Sequence, residues 1–354
     1  MASPLPYALS RHLALAYWAL VVYASLYPFA GWQIGGLSPF AFLVADWPHY
    51  WTGFDLAINV VTYVPLGFLL ALALTTLRTP LPAATLAVLA AVATSFLIEV
   101  VQSWLPSRVP SNLDLLCNAA GGLLGAVVAR LHGIHWFTYL GQLESRLLVP
   151  HAYGGVGVTL LGLWLLAQVS PEMAFATTGD VRRLWQEVLP DLTVVAYSPQ
   201  HVMAIEAVAV AAHLIAVGLF LRLMLRDSLT QLPVVLLFFV IAVTIRSLSA
   251  AVLLGPPEAF DWLSPGTVRG GAVGGLCLLP LLFMHRRRLP LLICVALLVG
   301  TLAVNAVPDD PYRVHAMAGW QQGHFLNFNG LTRWLAMFWP LLAFAYLVLS
   351  ARRR

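Results

Sequence analysis

Apolar residues fill this chain in runs near twenty residues long, broken by short stretches where Pro, Gly, Arg and acidic residues gather. About 20 apolar residues, at 1.5 Å of helical rise each, are what an α-helix needs to cross the hydrocarbon core of a bilayer. The runs predict helices near 11–30, 54–77, 81–104, 113–131, 151–169, 201–223, 232–254, 268–284, 289–305 and 330–350. The expected fold class is therefore all-α, a polytopic transmembrane bundle of about ten spans. Composition agrees: 60% of the 354 residues are hydrophobic and 10% are charged, against about a quarter charged in soluble domains. The first run follows Arg11 and ends in Tyr27-Pro28-Phe29 with no small-residue cleavage pattern, so it reads as a retained span.

Charge then orients the bundle. The net charge is +4 and every basic residue is Arg. With both termini in the cytoplasm, twelve of the nineteen arginines fall inside, at Arg11, Arg78, Arg130, Arg146, Arg222, Arg226, Arg286 to Arg288 and Arg352 to Arg354. Most acidic loop residues fall outside. Basic residues concentrate on cytoplasmic loops, so this orientation is the expected one. The positive charge lies at helix ends and leaves no basic solvated face, which argues against nucleic acid as a partner. Cys117, Cys277 and Cys294 all lie in apolar segments and read as small core residues, implying neither a disulfide framework nor a metal site.

The polar residues that interrupt apolar runs cluster between Ser95 and Gly125. Glu99 and Gln102 share a helical face, as do Asp114, Asn118, Gly121 and Gly125 at i, i+4, i+7 and i+11. Pro106 and Pro110 bracket Arg108 in a turn between the two helices. Ionisable groups within spans are costly unless paired, and are site candidates by default. Asp-Leu-x-x-Asn occurs twice, as Asp55 to Asn59 and Asp114 to Asn118, each copy opening a helix at the outer end. The repeat predicts two parallel hairpins. Asp at such a position also caps a helix, so a structural and a functional role both stand for Asp55 and Asp114. Asn59 and Asn118 are open to simple interhelical hydrogen bonding. A Glu99–Arg108 contact would be the structural explanation of both charges. In the functional one, Arg108 holds a phosphate or carboxylate through its planar fork, and Glu99 or Asp114 acts as general base or acid.

The combination Ser95-x3-Glu99-x2-Gln102, the Arg108 turn, and Asp114-x3-Asn118-x2-Gly121-x3-Gly125 resembles the VanZ-like family of bacterial membrane proteins. Asn59 with Pro65-Leu66-Gly67-Phe68 matches an earlier element of that family. The resemblance covers roughly residues 11–131, about a third of the chain. It implies a bacterial cytoplasmic-membrane protein of the cell envelope and a link, in some members, to teicoplanin resistance. The expected division is a four-helix domain over 1–135 and a region of about six helices over 136–354.

In that second region, Glu206 and Arg246 are placed to form an intramembrane ion pair, and Val181 to Leu189 shows the spacing of a short amphipathic helix, open to a place on the membrane surface or to a plain connecting role. A polar loop at Gln321 to Gly330, with His324, opens the last helix. Gly270/Gly274 and Gly271/Gly275 repeat the Gly-x-x-x-Gly spacing of close helix packing. No Gly-x-Ser-x-Gly elbow, His-Glu-x-x-His helix or nucleotide loop is present. No cofactor is expected. The first functional reading is a binder of an anionic envelope lipid or cell-wall precursor at the outer leaflet, with Glu99, Gln102, Arg108, Asp114, Asn118, Asn59 and Asp55 at the site and other envelope proteins as further candidate partners. A membrane-embedded hydrolase or transferase acting on a lipid phosphate or acyl group is the alternative. A lipid flippase or transporter is the third.

Overall fold

The computed structural model describes residues 5–27, 29–33, 38–48, 51–75, 82–149, 154–170, 173–182, 184, 198–226, 231–306 and 326–351. Ten α-helices lie among them: α1 Leu5–Leu26, α2 Gly53–Leu74, α3 Ala83–Gln102, α4 Asn112–Leu147, α5 Gly154–Ala167, α6 Pro199–Met224, α7 Gln231–Leu253, α8 Pro265–Leu281, α9 Leu289–Ala306 and α10 Leu326–Ala351. Each falls on one of the predicted apolar runs. Among the described residues, seven are long and apolar enough to cross a membrane, fewer than the ten spans expected. The shortfall includes α5, with 14 residues, and α8, with 17. α4 runs to Leu147, sixteen residues past the expected end at 131. Hydropathy fades after Gly133, but no proline interrupts the sequence before Pro150, so the helix continues beyond its apolar part.

The chain divides into two compact units, Met1–Ser145 and Arg146–Arg354. In the first, glycine brings backbones together. A Cβ on Gly121 or Gly125 would land on the carbonyl oxygens of Val60 or Val64, and one on Gly67 would land on that of Gly122. The Gly-x-x-x-Gly face of α4 thus lies directly against α2, as small residues permit when lipid offers no hydrophobic drive between helices. Gly122 also meets α3, where a Cβ would sit 2.8 Å from that of Ala91. Val21, Tyr63, Leu66, Ala91 and Ile98 close the core among α1, α2 and α3.

The second unit is built around α6, whose residues from Ala209 to Met224 are buried. Gly270 and Gly274 seat α8 against Ala207 and Ala211 of α6, and Gly300 of α9 meets His213. Trp164, Phe220, Trp339 and Tyr346 fill the middle. Arginines serve backbone: the buried Arg222 donates to the Leu282 carbonyl at 2.9 Å, and the half-buried Arg286 to those of Leu223 and Leu225, both at 2.6 Å. The expected Glu206–Arg246 ion pair is not formed. Arg246 donates to the carbonyls of Ser170 and Met173 just beyond α5, while Glu206 accepts from Ser264 and Thr267 at the start of α8. Each charge finds hydrogen-bond partners closer to its own helix end, which removes the need for the other.

The segment expected as an outer loop begins inside the fold. Phe175 to Thr178 are buried, the Ala176 N–H donates to Gln168, and Asn305 holds Gly179 and Val181. The amphipathic helix expected at 181–189 lies almost wholly outside the described residues. So do Arg78 and the loop up to Phe325.

Candidate functional site

In the first unit, the seven residues singled out by the sequence fall into two groups. Asp55, Asn59, Glu99, Asp114 and Asn118 lie where α2, α3 and α4 meet. Gln102 and Arg108 hold the end of α1.

The two Asp-Leu-x-x-Asn copies do different work. At α2, Thr52 and Asp55 form a capping box: the Thr52 side chain accepts from the Asp55 N–H at 3.2 Å, and the Asp55 carboxylate accepts from the Thr52 N–H at 2.9 Å. At α4, Ser111 takes the place of Thr52 and its hydroxyl accepts from the N–H groups of Leu113 and Asp114, both at 3.2 Å. The carboxylate that should return to the Ser111 N–H comes from another helix. Glu99 of α3 accepts that N–H at 2.8 Å. Asp114, released from the cap, accepts from the Asn59 amide at 2.8 Å. Asn118, the second Asn, instead donates to Ser95 at 3.0 Å. One repeated sequence thus makes a closed cap at α2 and a cap shared between helices at α4.

This junction is buried. Glu99 is 3% exposed and Ser111 7%, so Glu99 can accept from Ser111 without competition from water. Behind it, the Tyr63 hydroxyl lies beside Ser95 and Glu99, and Asn118 Oδ1 is a buried polar atom with no hydrogen-bond partner among the described residues.

Arg108 does not pair with Glu99. Its Nη2 donates to the carbonyls of Ala24 and Tyr27 at 3.2 and 3.1 Å, and Gln102 donates to that of Ser25 at 2.9 Å. These are the acceptors an α-helix leaves unsatisfied at its C-terminus, where the dipole also favours a cation. Partial burial pulls the guanidinium pKa down from its ordinary value. Its Nε and Nη1 make no hydrogen bond among the described residues. Among those residues, no three His, Cys, Asp or Glu side chains converge to hold a metal.

Sequence reasoning missed two features. Ser111 was legible as Ser-x-x-Asp, a capping pattern that Thr52-x-x-Asp55 repeats. The other is a set of exposed aromatics at the same end: Phe29, Trp32, Phe40, Trp47 and Trp51. Their segment is tied to the Arg108 turn, the Gln33 N–H donating to the Trp104 carbonyl at 2.9 Å and Asn112 to that of Ala45 at 2.7 Å. Trp beside the ends of apolar runs is the signal of an interfacial belt.

The arrangement of α1 to α4 coincides with a family match. Residues 12–133 match the profile of the family described as VanZ/LLP1. The first unit is VanZ-like. No curated protein and no solved structure matches the chain. The VanZ-like unit contains all seven candidate residues, and its apolar helices are those of a membrane protein.

Proposed function

We propose that the VanZ-like unit binds the anionic headgroup of an envelope lipid or lipid-linked cell-wall precursor at the outer leaflet of a bacterial cytoplasmic membrane, with Arg108 as the anion's partner. The supporting observation is how Arg108 is held. Two carbonyls of α1 fix one nitrogen, while Nε and Nη1 have no partner among the described residues. A guanidinium held this way offers a ready edge to phosphate or carboxylate. The surrounding Trp32, Trp47 and Trp51 suit a membrane–water interface, where headgroups lie. The arginine asymmetry of the loops supports cytoplasmic termini with this end outside. The family's association with teicoplanin resistance supports a site where cell-wall precursors are displayed.

The test is identification by mass spectrometry of lipids that co-purify with the wild type, Arg108→Gln and Arg108→Ala. Gln keeps an N–H donor for the α1 carbonyls and removes the charge. An anionic lipid on the wild type, about tenfold depleted in both variants, is the expected result; tenfold corresponds to about 1.4 kcal/mol. Equal lipid on all three proteins would sink the proposal.

A membrane-embedded hydrolase or transferase is the second reading. The buried Tyr63 hydroxyl beside Glu99, and an Asn118 oxygen with no partner among the described residues, favour it. It requires that Glu99→Gln abolish turnover of a lipid ester with the fold intact.

A further inference from the structure

The two interleaved glycine pairs of α8 meet different surroundings. Gly270 and Gly274 press on α6, whereas a Cβ on Gly271 or Gly275 would meet nothing within 4 Å. The second pair forms part of the floor of a crevice of about 390 Å³ between α6, α7 and α8. Its walls are apolar, with Leu214 from α6, Val235 and Phe239 from α7, and Leu278 from α8. Thr267 is the polar residue of the lining, and its hydroxyl already donates to Glu206 at 3.0 Å. The rim residues Leu236, Val243, Val268 and Leu279 are exposed. In a bilayer, such a rim opens into hydrocarbon.

We propose that this crevice is a binding site for one acyl chain of a membrane phospholipid, separate from the headgroup site of the VanZ-like unit. The chemistry selects the occupant. A lining without a free donor or acceptor has nothing to orient a polar ligand, and burial of methylenes against it needs no direction. Thr267 and Leu279 are twelve residues apart on α8, about 18 Å at 1.5 Å per residue, more than half of the ~30 Å hydrocarbon core. That length suits an extended chain. At the Thr267 end, Trp262 lines the crevice and Arg269, the residue after Val268, is exposed, an amphipathic ring and a cation that suit a phosphodiester headgroup. The absent side chains of Gly271 and Gly275 leave the groove that the chain fills.

The experiment uses the full-length protein in phospholipid nanodiscs containing a phosphatidylglycerol with a photoactivatable diazirine in its acyl chain, and maps labelled residues by mass spectrometry. Labelling is expected on the α7 and α8 walls. Gly271→Phe and Gly275→Phe each start from a Cβ with nothing within 4 Å and add a ring to the floor of the crevice, so labelling should fall about tenfold, the effect of displacing about two methylenes from an apolar wall. Labelling insensitive to both variants, or confined to residues outside the crevice, overturns the proposal. If neither variant folds, the wild-type map decides alone. A disulfide-linked dimer of Leu279→Cys, in a background lacking the native cysteines, also overturns it by placing a second copy over the crevice.

Discussion

A carboxylate inside a span has to earn its place, and Glu99 does so as the missing half of a helix cap. Ser111 satisfies two N–H groups of α4 with its hydroxyl, and its own N–H, buried, depends on Glu99. Glu99→Ala leaves that donor without an acceptor and should cost about 1–3 kcal/mol of stability. Glu99→Gln retains an acceptor oxygen and should cost much less. Thermal unfolding of the two variants in one detergent checks this, and equal losses would show that the cap is not what Glu99 supplies. The pair also separates structure from chemistry, since a requirement for the carboxylate appears as loss of function in a stable Glu99→Gln protein.

At the scale of the element, the helices are legible from apolar run length, but their contacts are not. The Gly121/Gly125 spacing announces a close approach, and the approach is made to the α2 backbone at Val60 and Val64. Gly125→Leu must separate the two helices or break one of them. Overpacking typically costs 1–3 kcal/mol, and a clash with backbone that cannot yield puts the loss at about 3 kcal/mol or more. Gly271→Leu, with the same spacing but open space around it, should be nearly neutral. Unfolding measurements on both variants test whether one glycine motif packs and the other does not. The caps differ as well. Thr52→Ala should cost about 1 kcal/mol; Ser111→Ala should cost more than Thr52→Ala, because Ser111 is buried and Thr52 exposed.

At the scale of the molecule, the parity of spans is the open variable. Ten crossings return the chain to its starting side, whereas seven leave its ends on opposite sides. The arginine distribution fits cytoplasmic termini, which requires that an even number of helices cross. Reporter fusions after Trp47 and at the C-terminus test this. The expected outcome is an outer position for Trp47 and a cytoplasmic C-terminus; a C-terminus outside would reduce the crossings to an odd number and overturn the proposed orientation.

Run length and hydropathy alone were enough to locate the ten helices among the described residues, because a bilayer-length apolar segment has one dominant solution for its backbone hydrogen bonds. The seven candidate residues were also visible, since polar groups stand out against apolar runs. Their partners were not. Glu99 and Arg108 look like an ion pair in sequence, yet each is better satisfied by backbone, the one by the Ser111 N–H and the other by the carbonyls ending α1. Glu206 and Arg246 separate as well, Arg246 to backbone carbonyls and Glu206 to the hydroxyls of Ser264 and Thr267. Backbone groups at helix ends are silent in sequence, because which side chain reaches them depends on where neighbouring helices stop. Only the tertiary structure decides that, and with it why one Asp-Leu-x-x-Asn copy closes on itself while the other is opened by a carboxylate from the next helix.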